Sequence, residues 1–303
     1  MKILILIMSG NMQPSLRNED AIFNTYIKSY NDNKDIFKHE YHFLSYRGGY
    51  SDVVLDNNIL KLTSLDDIEN TFNKTIEAFK YIKDFNFDYL IRVNISTYIN
   101  LFILDEYIEE LNKNLIYCNT VCTYYNSIKY KNEMFPRGDA YIIHKELFNK
   151  LLDFYYNFNI NDYIDNGVDN TDDSMFGVVL SNYFNHKTHN YIQLLNYSFI
   201  PECIENLNSY NFKLSALTIF SRLKTVPPNE KCSGYSWEDN EYRKHDIIKF
   251  RMLNKYIFDI KNRKTRILFD NGTRNNFIIS ENGKLYSASF STLFNILNKK
   301  NDN

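Results

Sequence analysis

The chain opens on an unbroken apolar run, Ile3 to Met8, that stops at Ser9-Gly10-Asn11. A run of that length closed by turn residues predicts a strand buried on both faces. Over residues 18–31 the apolar positions take a helical period, with Ala21, Ile22, Tyr26 and Ile27 on one face. EYHFLSY (40–46) reads as a second strand, followed by the loop RGGYSD. Residues 64–85 return to a helical period, with Ser64 placed as N-cap and carboxylates in the first turn. FDYLIRVN (87–94) predicts a further strand, and residues 94–108 a helix that Asn94 and Ser96 would cap. IYCNTVCTYY (116–125) and AYIIH (140–144) read as strands, and KELFNKLLDFYYNF (145–158) as a helix.

Strand and helix alternate to about residue 200, which argues for an α/β fold with a mixed, mostly parallel sheet flanked by helices. The last third is less regular. Residues 243–258 have a helical pattern, and residues 265–289 read as short strands joined by Asn-Gly turns. We therefore expect one large domain over 1–250 and a β-containing C-terminal extension over 251–303 packed on it.

Composition narrows the function classes. A net charge of -2 over 303 residues gives no global case for nucleic acid or an acidic membrane surface. The apolar run at the N-terminus is far short of a membrane span or a signal-peptide core. The expectation is a soluble, cytoplasmic protein of a bacterial cell or virus-infected host, with no transmembrane segment. Cys118, Cys122, Cys203 and Cys232 lack zinc-site spacing and read as free thiols. The sequon at Asn271 would matter only in a secretory protein.

The ends of parallel strands are where such sheets bind ligands. Ser9-Gly10-Asn11, the turn Arg92-Val93-Asn94-Ile95-Ser96, and the acidic stretch from Asp165 to Asp173 fall at or near such ends. Asp172 and Asp173 stand where a helix begins, and so have two readings: caps held by the free N–H groups, or carboxylates presented for chemistry. Arg92 likewise either meets a ligand or pairs with a core carboxylate. His186 and His189 are three apart and read as surface residues rather than metal ligands.

Four segments, in order, resemble the β-1,3-galactosyltransferase and fringe-like glycosyltransferases. DDIENTFNKTIEAFKYI is similar to that family's Tyr-x-Asn-Leu-Thr-x-Lys-Thr helix, with Asn73, Lys74 and Thr75 in place. YLIRVNISTYIN is similar to the strand and turn that carry its metal-binding aspartates. RGDAYIIHKEL resembles its Gly-x-Gly-Tyr segment through Gly138 and Tyr141, and TDDSMFGVVLS its Glu-Asp-Val-x-x-Gly motif through Asp172, Asp173 and Gly177. The resemblance covers roughly residues 1 to 200.

It implies a GT-A fold, a nucleotide-sugar donor, an inverting transfer to a glycan or glycoconjugate acceptor, and a base at Asp173 with Asp172 orienting it or holding the acceptor. An acceptor hydroxyl must lose its proton as it attacks, and a carboxylate within hydrogen-bond reach serves that step. The departure is the metal turn, which here reads Asn94-Ile95-Ser96. Neutral Asn and Ser oxygens are weak ligands for Mg or Mn. The expectation is therefore that no metal is required, with Mn or Mg as the alternative. The nucleotide, a UDP in this reading, would meet Ser9, Gly10, Asn11, Lys74, Arg92, Asn94 and Ser96. Charge on the diphosphate would be met by Arg222, Lys224, Arg243 and His245.

Overall fold

The structure is a computed structural model. It describes residues 1–195, 197–199, 206, 218–226, 241–259, 265–269, 276–281 and 284–289. Cys203, Cys232, the sequon at Asn271 and both Asn-Gly turns of the C-terminal strands lie outside the described residues.

In chain order the elements begin with β1 (Lys2–Met8), α1 (Ser15–Ile22), α2 (Lys28–Asn31), β2 (Glu40–Arg47), β3 (Val54–Asp56) and β4 (Ile59–Lys61). Next come α3 (Thr71–Ile82), β5 (Tyr89–Asn94), β6 (Thr97–Ile99), α4 (Leu101–Tyr107), β7 (Ile116–Cys118), β8 (Val121–Thr123) and β9 (Met134–Pro136). They continue with β10 (Ala140–His144), α5 (Lys145–Tyr156), α6 (Asp172–Tyr183), β11 (Ile192–Leu194), β12 (Tyr197–Phe199) and β13 (Phe220–Arg222). The last are α7 (Lys244–Asp259), β14 (Thr265–Phe269), β15 (Asn276–Glu281) and β16 (Lys284–Ser289). The chain divides into two compact units. The first holds Met1–Glu19, Lys34–Ile95 and Glu110–Leu194; the second holds Asp20–Asn33, Ser96–Glu109 and Leu195–Asn303.

The first unit is a mixed α/β layer built on an eight-stranded sheet in the order β11-β7-β10-β5-β1-β2-β4-β3. β1, as the apolar run predicts, lies in its middle, parallel to β2 on one side and β5 on the other. β10 runs antiparallel between β5 and β7. It enters the sheet from the rim where β5 and β7 end, so its preceding loop joins that rim. α3, α5 and α6 cover the sheet with Phe72, Ile76, Phe79, Phe148, Leu151, Phe176 and Leu180 in one core cluster. Aromatic edge contacts, Phe79 on Phe148 and on Phe176, tie the three helices together.

Gly177 allows this packing where α6 crosses β9. A Cβ there would meet Tyr124 Oη and lie 2.6 Å from Phe135 Cβ. We expect Gly177→Ala to cost about 1–3 kcal/mol through overpacking, read as a lower melting midpoint.

Local signals mislead at three places. The helix expected from Ser64 begins at Thr71 instead, and Ser64 caps nothing. Its N–H and hydroxyl donate to Glu77 at 2.8 and 2.6 Å, and those of Thr63 donate to the other Glu77 oxygen. Burial raises the Glu77 pKa, but these donors outweigh it and hold the carboxyl below its ordinary 4.5. A depressed carboxylate stabilises the fold fully above its ordinary value and loses that contribution as pH falls through the lowered one. Glu77→Gln should therefore cost about 1 kcal/mol at neutral pH, discounted for its partial exposure, with the difference closing under acid. Urea midpoints at pH 7 and below pH 4 check this.

The helix expected over 94–108 begins only at Leu101, because Thr97–Ile99 pairs with Phe220–Arg222 as a strand. Asn94 and Ser96 cap no helix. The helix expected over 18–31 starts at Ser15 and breaks at Thr25, whose hydroxyl bonds back to Ala21 O at 2.6 Å.

The second unit carries the three-stranded sheet β12-β13-β6, the helix α7 and the antiparallel sheet β14-β15-β16. Tyr98 packs against Tyr26 and Phe250, and Phe102 against Phe258. No helix among the described residues is long and apolar enough to cross a membrane.

Candidate functional site

Strand order reverses direction at β1: the chain goes to β2 on one side and returns to β5 on the other. In open α/β sheets, ligands bind beyond the carboxyl ends of the strands at such a switch point. The segment after β1 is Ser9-Gly10-Asn11, and Met8 lies beside Asn94 of β5. The first unit thus brings the N-terminal candidates and Asn94 to one rim.

The loop after β1 is tightly held. Lys74, on α3, donates to Ser9 O at 2.8 Å and to Asp66 Oδ1 at 2.6 Å. The other Asp66 oxygen accepts from Asn11 N, and Asn11 Nδ2 donates to Gly48 O. Tyr50 Oη donates to Asn11 Oδ1 at 2.7 Å. Lys74 is buried, so its role here is to pin the rim rather than to reach across it. Asp66, which the sequence reading did not single out, is the hub of this network. The Ser9 hydroxyl is buried with no protein partner.

The second part of the rim centres on a buried ion pair. Arg92 is fully buried in β5 and its Nη2 pairs with Asp172 Oδ2. Its other contacts are Gly138 O, Met8 Sδ and Tyr46 Oη, with the Tyr141 ring at 5.8 Å. Tyr46 Oη continues to Thr75 Oγ1 at 2.9 Å. Of the two readings of Arg92, the structure shows the pair with a core carboxylate. Burial works against its charge, and the Asp172 carboxylate together with Tyr46 and Tyr141 outweighs it, raising its pKa. Burial in turn pushes the Asp172 carboxyl up, opposed by Arg92. The Asp172 carboxylate is thus already engaged by Arg92.

Asp173 is the carboxylate left half-exposed at the start of α6. Thr171 Oγ1 donates to its Oδ1 at 2.7 Å, Ser174 N to the same oxygen at 3.0 Å, and Gly138 N to Oδ2 at 3.2 Å. Gly138 sits so close to the ion pair that a Cβ would lie 3.2 Å from Asp172 Oδ1 and 3.3 Å from Arg92 Nη1. The glycine therefore lets one loop touch both carboxylates. Burial first and the Asp173 charge next raise the pKa of Cys122 and of Tyr124. Of the residues in the four segments, Arg92 meets Asp172, Gly138 and the Tyr141 ring, Thr75 joins through Tyr46, and Gly138 in turn meets Asp173.

Asn94 is buried at the rim, its N–H donating to Asp139 O at 3.0 Å. The turn Asn94-Ile95-Ser96 offers only neutral donors. Among the described residues no group of three His, Cys, Asp or Glu side chains could hold a metal ion. The residues at this turn do not fit the divalent cation that the resemblance implies elsewhere. His186 and His189 are both exposed, in a turn and a short 3-10 helix rather than on one helical face.

Ser96, Arg222, Lys224, Arg243 and His245 belong to the second unit. β13 ends at Arg222, so Lys224 lies beyond the strand. Both are buried, as is Arg243. Arg243 Nε donates to Asp246 Oδ2 at 2.7 Å, and Thr225 N and Oγ1 donate to Asp246 Oδ1 at 2.7 and 2.8 Å. A carboxylate that the sequence reading passed over thus joins two of the basic segments. His245 is half-buried in the first turn of α7.

No protein-family model matches the chain, and no curated protein matches it in sequence. Among solved structures, it is similar to the galactosyltransferase LgtC in complex with donor and acceptor sugar analogues. That likeness has 13% identity, covers 84% of this chain and 96% of the other, and has a TM-score of 0.47. An active-site mutant of LgtC is similar at 12% identity over the same shares, with a TM-score of 0.45.

Proposed function

We propose that the chain is a glycosyltransferase of GT-A type, passing a sugar from a nucleotide-sugar, in our reading a UDP-sugar, to a hydroxyl of a glycan or glycoconjugate. The observation that carries this reading is Asp173. It is a half-exposed carboxylate, aimed by Gly138 N, Thr171 and Ser174 N, at the start of a helix on the ligand-binding rim of the sheet. In the proposed step the acceptor oxygen attacks the anomeric carbon and gives its proton to Asp173. The bond from that carbon to the diphosphate breaks, its electron pair leaves with the nucleotide, and the configuration inverts.

The nucleotide would lie over Ser9-Gly10-Asn11 and Asn94. Charge developing on the leaving diphosphate would be met by protein cations. The neutral turn at Asn94-Ile95-Ser96 supports a transfer that needs no metal.

That same turn favours a second reading: a binding protein of this fold that holds nucleotide or glycan without turnover. Nucleotide release from a panel of UDP-, GDP- and dTDP-sugars, in EDTA and in Mn, separates the two. Release in EDTA is the expected result. Release in Mn alone would overturn the metal-free step, and tight nucleotide binding with no release from any donor would select the second reading.

A further inference from the structure

Asn119 follows the carboxyl end of β7, a strand parallel to β1 and β5 through the antiparallel β10. Its side chain is 5% exposed, and neither Nδ2 nor Oδ1 has a protein partner. Among the described residues it is the buried side-chain amide with neither end bonded to protein. A buried amide left so loses its hydrogen bonds to water without replacing them. The hydroxyls of Thr120 and Thr123, on the same stretch, also lack partners.

The backbone joins this stretch to the loop that meets Asp173. Asn119 N approaches Ala140 O at 3.4 Å, and Thr120 O accepts from Arg137 N at 2.9 Å. The loop so held, Arg137 to Ala140, is the one whose Gly138 N donates to Asp173. Cys122, three residues on, feels the Asp173 charge.

We propose that Asn119 is a sugar-binding residue of this rim, its amide receiving a pair of neighbouring ring hydroxyls, with Thr120 Oγ1 as a further contact. An amide offers one donor and one acceptor side by side. A vicinal diol answers with one oxygen that accepts from Nδ2 and one hydroxyl that donates to Oδ1. The inference rests on the transferase reading for the identity of the ligand. The sugar is either the one carried by the nucleotide or the acceptor ring, since both bear such diols.

The test uses the full chain and Asn119→Leu, which keeps the side chain's bulk, with Asn119→Ala in reserve should the leucine overfill the space. Calorimetry compares UDP with UDP-galactose and UDP-glucose, and saturation-transfer NMR reads free galactose and lactose. We expect UDP affinity to be unchanged and sugar recognition to fall about tenfold in one arm. A loss in the UDP-sugar increment assigns the donor sugar, and a loss of the free-sugar signal assigns the acceptor. The variant's melting midpoint should rise by about 1–3 °C, because an unsatisfied amide leaves the interior. Sugar terms unchanged in both variants would overturn the proposal, as would a wild type that shows neither a sugar increment nor a free-sugar signal. Failure of nucleotide release alone would touch the transferase reading and leave the Asn119 result to be judged on sugar contact.

Discussion

Asp173→Asn should lower nucleotide release and glycan transfer by about 10²- to 10⁴-fold, the range that a positioned general base contributes. The substitution preserves shape, so the scaffold that holds the residue should persist. One Asn oxygen still accepts from Thr171 and Ser174 N, while the amide nitrogen replaces the oxygen that now meets Gly138 N. That single mismatch is a local strain, and the melting midpoint should move little. Nucleotide affinity should also hold, because Ser9, Asn11 and Lys74 are untouched. The informative pattern is therefore a fall in kcat with an unchanged Kd for UDP. A variant that retains wild-type turnover would remove Asp173 as the base and leave it as a brace for the Gly138 loop.

The neighbouring carboxylate sharpens that test. Asp172 is bound by Arg92, and its N–H donates to Thr71 Oγ1 at 3.2 Å. It is not available to take over as base when Asp173 is neutralised. Two adjacent aspartates with the same charge are thus divided by their surroundings into one that supports and one that faces the rim.

The sequence made the sheet legible because its strands are apolar runs with abrupt polar ends. Ile3 to Met8, Tyr89 to Asn94 and Ala140 to His144 need no knowledge of their partners to be seen. The order of those strands is not in the pattern. Nothing local says that Ala140–His144 inserts antiparallel between β5 and β7, since a buried strand reads the same in either direction. The failures at Ser64 and at Asn94 share one cause. Each has a good cap residue before an apolar period, yet a distant partner competes for the same groups: Glu77 for Ser64, and β13 for Thr97–Ile99. Capping contributes about 1 kcal/mol, which such tertiary contacts can outweigh.

The site divides in the same way. Asp172, Asp173, Lys74 and Gly138 were visible because they sit in recognisable segments. Asp66 and Asp246 were not, because a surface-looking acid gives no sign of the buried cation it will meet. Asn119 had still less to announce it: an Asn between two strands reads as a turn residue. Only its burial without a partner sets it apart. The one signal in the sequence that points to it is its place at a strand end, the same criterion that selected Ser9 and Asn94.

Arg92→Met should destabilise the first unit by about 3–5 kcal/mol, since it leaves the Asp172 carboxylate buried without its cation. The melting midpoint should fall by roughly 5–15 °C. The cost comes from the orphaned charge rather than from the lost attraction, and this has a checkable consequence. Arg92→Met combined with Asp172→Leu removes both charges and should recover most of the loss, so the double variant is more stable than the single one. Activity should not follow. Gly138 O would lose its guanidinium donor, and the Gly138 N–H that aims Asp173 would be freed to drift. The double variant should therefore fold, bind UDP, and turn over slowly, with kcat reduced more than KM is raised. If both variants were equally unstable, the pair would be part of a larger network through Tyr46 and Thr75 that neither substitution releases. If the double variant recovered full turnover along with stability, the ion pair would have no part in positioning Asp173, and the Gly138 loop would have to be held by Asn119-Thr120 and the β8–β9 ribbon alone.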